Sequence, residues 1–103
     1  MKNTITIDGI EYIKATEYTN SPIKIAILQR GWVVIGRYQE EDDMCVLTDA
    51  YVIRSWGTTK GLGELALEGK QENTKLDKTG TIRFHKLTSV GLIDCDTTKW
   101  NNL

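Results

Sequence analysis

Trp32-Val33-Val34-Ile35-Gly36-Arg37-Tyr38 is the stretch that decides the fold class. Three β-branched residues in a row between two aromatics suit a pleated, half-buried surface. A glycine inside such a run marks a bend. A charged turn at residues 39–43 follows, Gln39 then Glu40-Glu41-Asp42-Asp43. Residues 44–47 and 51–54 read as two more strands, separated by Thr48-Asp49-Ala50. Upstream, residues 24–29 form another apolar run, closed by Arg30-Gly31. Downstream, residues 81–86 and 89–95 are the last strands. At the start, Ile5 and Ile7 alternate with Thr4 and Thr6, Asp8-Gly9 supplies a tight turn, and Ile10-Glu11-Tyr12-Ile13 returns, so residues 4–14 read as a hairpin. A polar connector ends in Ser21-Pro22 and leads into the core.

Leu62, Leu65 and Ala66 recur at helical spacing, and Gly69 is placed to stop the helix, which spans about residues 61–68. Residues 70–80 hold almost nothing apolar and read as an exposed loop. The tail, 96–103, is polar except for Trp100 and Leu103. The pattern predicts a mainly-β single domain over residues 1–103, with its core in 24–95. It is a small bent sheet or SH3-like barrel of about seven strands with one short helix. Ile35, Val46, Ile53, Leu65, Ile82 and Leu92 are expected to be buried together. Trp32 reads as core packing, and Trp100 as a seal on the barrel or a contact with a neighbouring subunit.

With 103 residues there is room for one modest core. Apolar content of 40% is low for a monomer of this size, so a homo-oligomer is expected. Thirteen basic and 14 acidic residues leave a formal charge of −1, which gives no global pull toward nucleic acid or an anionic membrane. Cys45 and Cys95 each lie in an apolar run and read as small core residues in a reducing compartment. Two cysteines and one histidine do not make a structural zinc site without carboxylates, so neither a metal nor a cofactor is expected. No signal peptide, membrane span or lipidation motif is legible, which points to the cytoplasm.

Residues 32–54 resemble Sm and SH3-like proteins locally: a strand, Gly36 at a bend, a charged turn, a strand, then Leu47-x-x-Ala50. Arg83 and its neighbours do not supply the second Sm motif. A broader pattern joins Gly36, Leu47-x-x-Ala50, Ile53-x-x-Trp56, Leu62-x-x-Leu65-Ala66-x-x-Gly69 and a strand pair ending at Cys95. It covers about two-thirds of the chain. It resembles a family of small proteins of unknown function found in bacteriophages and in bacterial genomes carrying phage genes. The resemblance implies a phage or prophage origin, a place in the host cytoplasm and a non-enzymatic role. It assigns no residue a role.

The chemistry-bearing stretch runs from Arg54 to Ala66. Trp56, Thr58, Thr59, Lys60, Gly61 and Gly63 crowd between a strand and the helix. Glycines let a backbone approach a ligand, and free N–H groups at a helix start attract anions. One reading is an anion nest, with Lys60 on a phosphate and Trp56 stacked on a base. The other is a loop whose glycines make turns and whose Thr58 or Thr59 caps the helix. A dinucleotide fingerprint fails because the helix is too short and no acid-ended parallel strand follows. A Walker loop fails because Lys60 precedes its glycine. Arg83 and His85 alternate with Ile82 and Phe84, so they share one strand face, either solvated or turned to an anion. Three functions fit: sequestration of a small anionic nucleotide signal of host immunity, a protein-interaction module acting on a virion or host protein, and Sm-like RNA binding. The balanced charge disfavours the last.

Overall fold

A computed structural model describes residues 21–101 and residue 103; the expected hairpin at residues 4–14 lies outside the described residues. Five strands follow the order β1 (Ile23–Leu28), β2 (Val33–Glu41), β3 (Met44–Ser55), β4 (Lys75–His85) and β5 (Ser89–Asp94). One helix, α1 (Leu62–Glu68), lies between β3 and β4, and a helical turn, Thr97–Trp100, ends the chain. The strands form one antiparallel sheet in the order β4-β3-β2-β1-β5. The domain is therefore mainly β, as its composition of strand-formers predicts. It is an open sheet and not a closed barrel, because β4 and β5 stand at opposite edges.

The described strands number five, against about seven expected over the whole chain: the strands of the expected hairpin lie outside the described residues, and two others merge into one. Thr48-Asp49-Ala50 does not separate two strands. It is a bulge inside one long strand, with Ile35 opposite Tyr51 but Arg37 opposite Thr48. An extra residue bends a strand without ending it. Asp49 takes a positive φ of 51° there. Gly36 fits against this bulge, where a Cβ would lie 3.0 Å from the Thr48 carbonyl oxygen and 3.2 Å from Ala50 Cα. Glycine is thus favoured at Gly36 by close approach, since a Cβ would make the bulge give way by a few tenths of an ångström.

Residues 70–80 are not all loop: β4 begins at Lys75 and pairs with β3 from Ser55 onward. Its first half is polar except for Leu76, which packs against the helix-side core, so no hydrophobic alternation announces it; β3 supplies the ladder that makes it a strand. The turn read at residues 39–43 is shorter than expected. β2 runs through Glu41, and Glu41 opposes Met44. Asp42, at φ 57°, makes the turn, a conformation aspartate tolerates.

The core divides between the two faces of the sheet. On one, Ile23, Ile25, Ile35 and Ile53 meet Leu62, Leu65 and Ala66 of α1, and Trp100. The Trp100 indole N–H donates to the Leu65 carbonyl at 3.1 Å, and the Asp96 amide donates to the Ala66 carbonyl. The tail thereby satisfies the open carbonyls of a short helix. Trp100, 3% exposed, seals this core within its own chain. On the other face, Ala26, Val34, Tyr38, Cys45, Leu47, Ala50 and Phe84 cluster. Tyr38 donates to Glu40 at 2.7 Å and contacts the Cys45 sulfur at 3.3 Å, and the Lys24 ammonium lies 5.0 Å from its ring. Burial, then these two partners, raises the Tyr38 hydroxyl well above the usual phenol range.

The expectation of one shared core is corrected. Ile35, Ile53 and Leu65 are buried together and Val46 is buried, but Ile82 packs only partly, against the opposite cluster. Leu92 is exposed, because it points from an edge strand away from α1. Trp32 is also exposed, because β2 begins one residue later and the ring falls beyond the sheet's end. Both cysteines are free thiols, Cys45 buried and Cys95 half-buried, with burial pushing Cys95 up to about 12.

Candidate functional site

The glycine-rich loop leaves β3 at Ser55, which opposes Lys75 at the start of β4. Its first residues are clamped from that side. The Thr74 hydroxyl donates to the Trp56 carbonyl at 2.7 Å and accepts from the Gln71 amide at 2.9 Å. Thr74 is buried, although it falls in the stretch read as exposed loop. Gly57 passes directly over this clamp at φ 68°. A Cβ there would sit 2.3 Å from the Asn73 carbonyl carbon. No other residue fits, since both the φ and the space exclude a side chain.

The second half of the loop closes on itself. Thr58 donates its hydroxyl to the Gly61 carbonyl at 2.7 Å. Gly61, at φ 86°, is the helix N-cap and brings no side chain to the orphan amides. Glu64, three residues into the helix, reaches back: its Oε1 accepts the Lys60 amide at 2.9 Å and the Thr59 hydroxyl at 3.3 Å. This is similar to the return half of a capping box but displaced by one residue, onto the amide before the N-cap. The chain's own carboxylate takes one backbone amide and one hydroxyl of the loop that an anion could otherwise use. Neither Thr58 nor Thr59 caps the helix by a side-chain bond to its amides.

Outside this loop lies a shallow depression of about 670 Å³, lined by Thr59, Lys60, Glu64, Leu67, Glu68 and Gln71. One ammonium faces two carboxylates there. Trp56 is 42% exposed, near Gly61. Gly63 has open space where a Cβ would stand. The structure therefore brings Trp56, Thr58, Thr59, Lys60, Gly61 and Gly63 together as one loop. It does not bring Arg83 and His85 to them. Those two oppose Val46 and Met44, whereas the loop leaves from Ser55, so about nine residues of strand, or roughly 30 Å, intervene. They do share one exposed face, as alternation predicts. Arg83 pairs with Glu41 at 3.0 Å, and His85 Nδ1 accepts the Leu87 amide at 3.1 Å. The acidic tip is also engaged: Glu40 pairs with Lys86 at 3.2 Å and lies below the usual carboxylate range, held there first by the Tyr38 hydroxyl and then by Lys86.

A second region was not singled out by its residue types. Gln29–Gly31 form a tight 3-10 turn between β1 and β2. Arg30 takes φ 68°, which a side chain rarely adopts, and Gly31 takes φ 84°. The Leu28 amide donates to the Trp32 carbonyl at 2.7 Å and closes the turn. Trp32 follows, 57% exposed, on the side of Val34 by strand alternation. A small notch of about 140 Å³ beside it is lined by Arg30, Gly31, Trp32, Val33, Val52 and Ile53. The Arg-Gly pair was legible as the end of a run; that it leaves a tryptophan outside the sheet depends on where β2 starts.

Among the described residues no group of three histidine, cysteine or acidic side chains is placed to hold a metal ion. No helix among them is long and apolar enough to cross a membrane. No family model matches the sequence, and no curated protein matches it, so the likeness to phage proteins rests on the quoted residues alone.

Proposed function

We propose that this chain is a non-enzymatic interaction module that docks a protein partner through the Arg30-Gly31-Trp32 tip. One observation carries the reading: a tryptophan stands 57% exposed beside an arginine held at φ 68°. Backbone strain at a non-glycine residue persists where its surroundings impose it, and it concentrates at functional sites. Trp and Arg are the residues most enriched at the energetic centres of interfaces. Here they flank a notch that a partner's apolar side chain would fill. On this reading the partner is a host or virion protein, as the phage-like sequence pattern would imply.

The test places a photo-crosslinking amino acid at Gln29, beside the tip, in cells that express the chain. Crosslinks should converge on one protein, and Trp32→Ser should abolish them while the chain stays folded. Crosslinking that survives Trp32→Ser would overturn the reading.

Sequestration of a small anionic nucleotide is the second reading. Lys60 forms no ion pair among the described residues, and Trp56 is exposed beside it, which favours the idea. Glu64 opposes it, because an anion must displace that carboxylate to reach the Lys60 amide and meets its negative charge at the helix start. A thermal-shift series with linear and cyclic nucleotides, run on the wild type and on Glu64→Gln, decides the matter. A shift that grows in the variant supports the nucleotide reading, and no shift in either protein removes it.

A further inference from the structure

The two edges of the sheet are built differently. β4 presents Lys75, Asp77, Lys78 and Arg83, the charges with which an edge discourages pairing. β5 reads Ser89-Val90-Gly91-Leu92-Ile93-Asp94 and carries no charge before Asp94, which Lys24 of its own chain neutralises at 3.1 Å. Val90 and Leu92 are 69% and 38% exposed. An uncharged, apolar edge strand is an invitation to another strand.

The backbone shows which groups are open. The Cys95 amide donates to the Ile23 carbonyl, so the main-chain groups of Cys95 point at β1. Main-chain direction alternates along an antiparallel strand, so those of Asp94 and Leu92 point outward. Val90 has no opposite residue on β1, because the register slips from Ile27↔Gly91 to Leu28↔Ser89.

Gly91 supplies an independent clue. Its φ is not positive, and a Cβ built on it meets nothing within 4 Å. Among the described residues no side chain or left-handed backbone requires glycine here; the bulge beside it is one setting in which strand glycines occur. A strand glycine also occurs where another backbone approaches closely, and the open space beside Gly91 leaves room for one.

We infer that two copies of the chain pair through β5, antiparallel, about a two-fold axis at Gly91. In that register Gly91 faces its own copy, Val90 faces Leu92 of the second copy, and Ser89 faces Ile93. Opposite residues share a sheet face, so the helix-covered faces of both copies lie on one side. Leu92 and Val90 exchange outward main-chain hydrogen bonds, and their side chains cover each other twice on the other face. Gly91 occupies the non-hydrogen-bonded position, where Cα atoms approach to about 4.5 Å. A second copy is the occupant because the pattern is self-complementary about Gly91, and because the strand holds no unpaired charge with which to select a different partner. The inference does not depend on docking at Trp32.

The contact is short, so it belongs to the weak class of interfaces, and sedimentation from about 5 to about 500 μM is the appropriate range. The wild type should approach twice 11.7 kDa across it. Val90→Lys with Leu92→Lys sets ammonium groups opposite each other twice and should raise the dissociation constant at least about tenfold. Val90→Lys with Leu92→Glu sets opposite charges in the same places and should restore dimers. All three substitutions, at two positions, lie on exposed side chains, so far-UV dichroism and melting should stay near wild type. Trp32→Ser should dimerise as the wild type does, which separates this inference from the docking one. A wild type that stays at 11.7 kDa overturns the proposal. So does a double-lysine protein that still dimerises, or a lysine–glutamate protein that does not. Slow hydrogen exchange at the Leu92 amide of a monomer would assign the edge to another stretch of the same chain and also overturn it.

Discussion

Two turns in this molecule carry similar residues and treat them in opposite ways. Arg30-Gly31-Trp32 and the loop from Trp56 to Gly61 each combine a tryptophan, a basic residue and glycine at positive φ. The longer loop looks more like a binding site in sequence, yet both its threonine hydroxyls and the Lys60 amide are bonded internally. Thr74 holds the Trp56 carbonyl, Thr58 holds that of Gly61, and Glu64 takes the Thr59 and Lys60 donors. The shorter turn closes with one backbone bond and leaves its tryptophan outside. Residue types that can bind a ligand can also bind each other. What separates the cases is whether matching partners, near in sequence as Glu64 is or distant as Thr74 is, fold against the loop.

The sharpest way to break this comparison is a matched pair of glycine substitutions. Gly57→Ala should cost about 4 kcal/mol in urea denaturation, because a Cβ collides with the residue 73–74 backbone as well as straining φ. Gly31→Ala meets nothing within 4 Å and should cost only about 1 kcal/mol, the price of the left-handed conformation. Equal losses would mean that the longer loop is not clamped as described. Next in size, Thr74→Val removes a hydroxyl that serves two backbone groups under the loop. A loss of about 1–3 kcal/mol is expected, with faster hydrogen exchange at the Gln71 amide. Retained stability would show that the clamp is dispensable.

Arg30→Gly is the smallest effect and the one of opposite sign. Relieving a left-handed side chain should raise stability by about 1 kcal/mol, less the extra entropy of glycine in the unfolded chain. If the tip is the docking site, the same substitution should weaken docking. A protein both more stable and better at docking would separate the strain from the function.

Strand-formers, turn residues and the Leu62-Leu65-Ala66 spacing made the mainly-β class and the helix legible, because those signals act within a few residues. β4 was only half legible, because its polar first half is a strand by courtesy of β3. The bulge at Thr48-Asp49-Ala50 read as a break for the same reason: a register slip is a property of two strands, and only one of them is local. In the candidate site, Gly57 and Gly61 were legible as turn-makers. Glu64 was findable as an acid at the third helical position. Thr74 was not, because its partner is 18 residues away. Trp32 read as core because its neighbours are core. Its exposure follows from where a strand starts, and that boundary is the least local of these features.

The three tryptophans stand at 3%, 42% and 57% exposure. This gives the chain a graded optical record of its own state. Trp100 emits from a dry interior and reports whether tail, helix and sheet are joined. Trp56 and Trp32 emit from wetter surroundings, one over the closed loop and one at the tip. Loss of the fold should shift the blue component toward the red, while a partner seated on the tip should shield the red component from acrylamide and leave the blue unchanged.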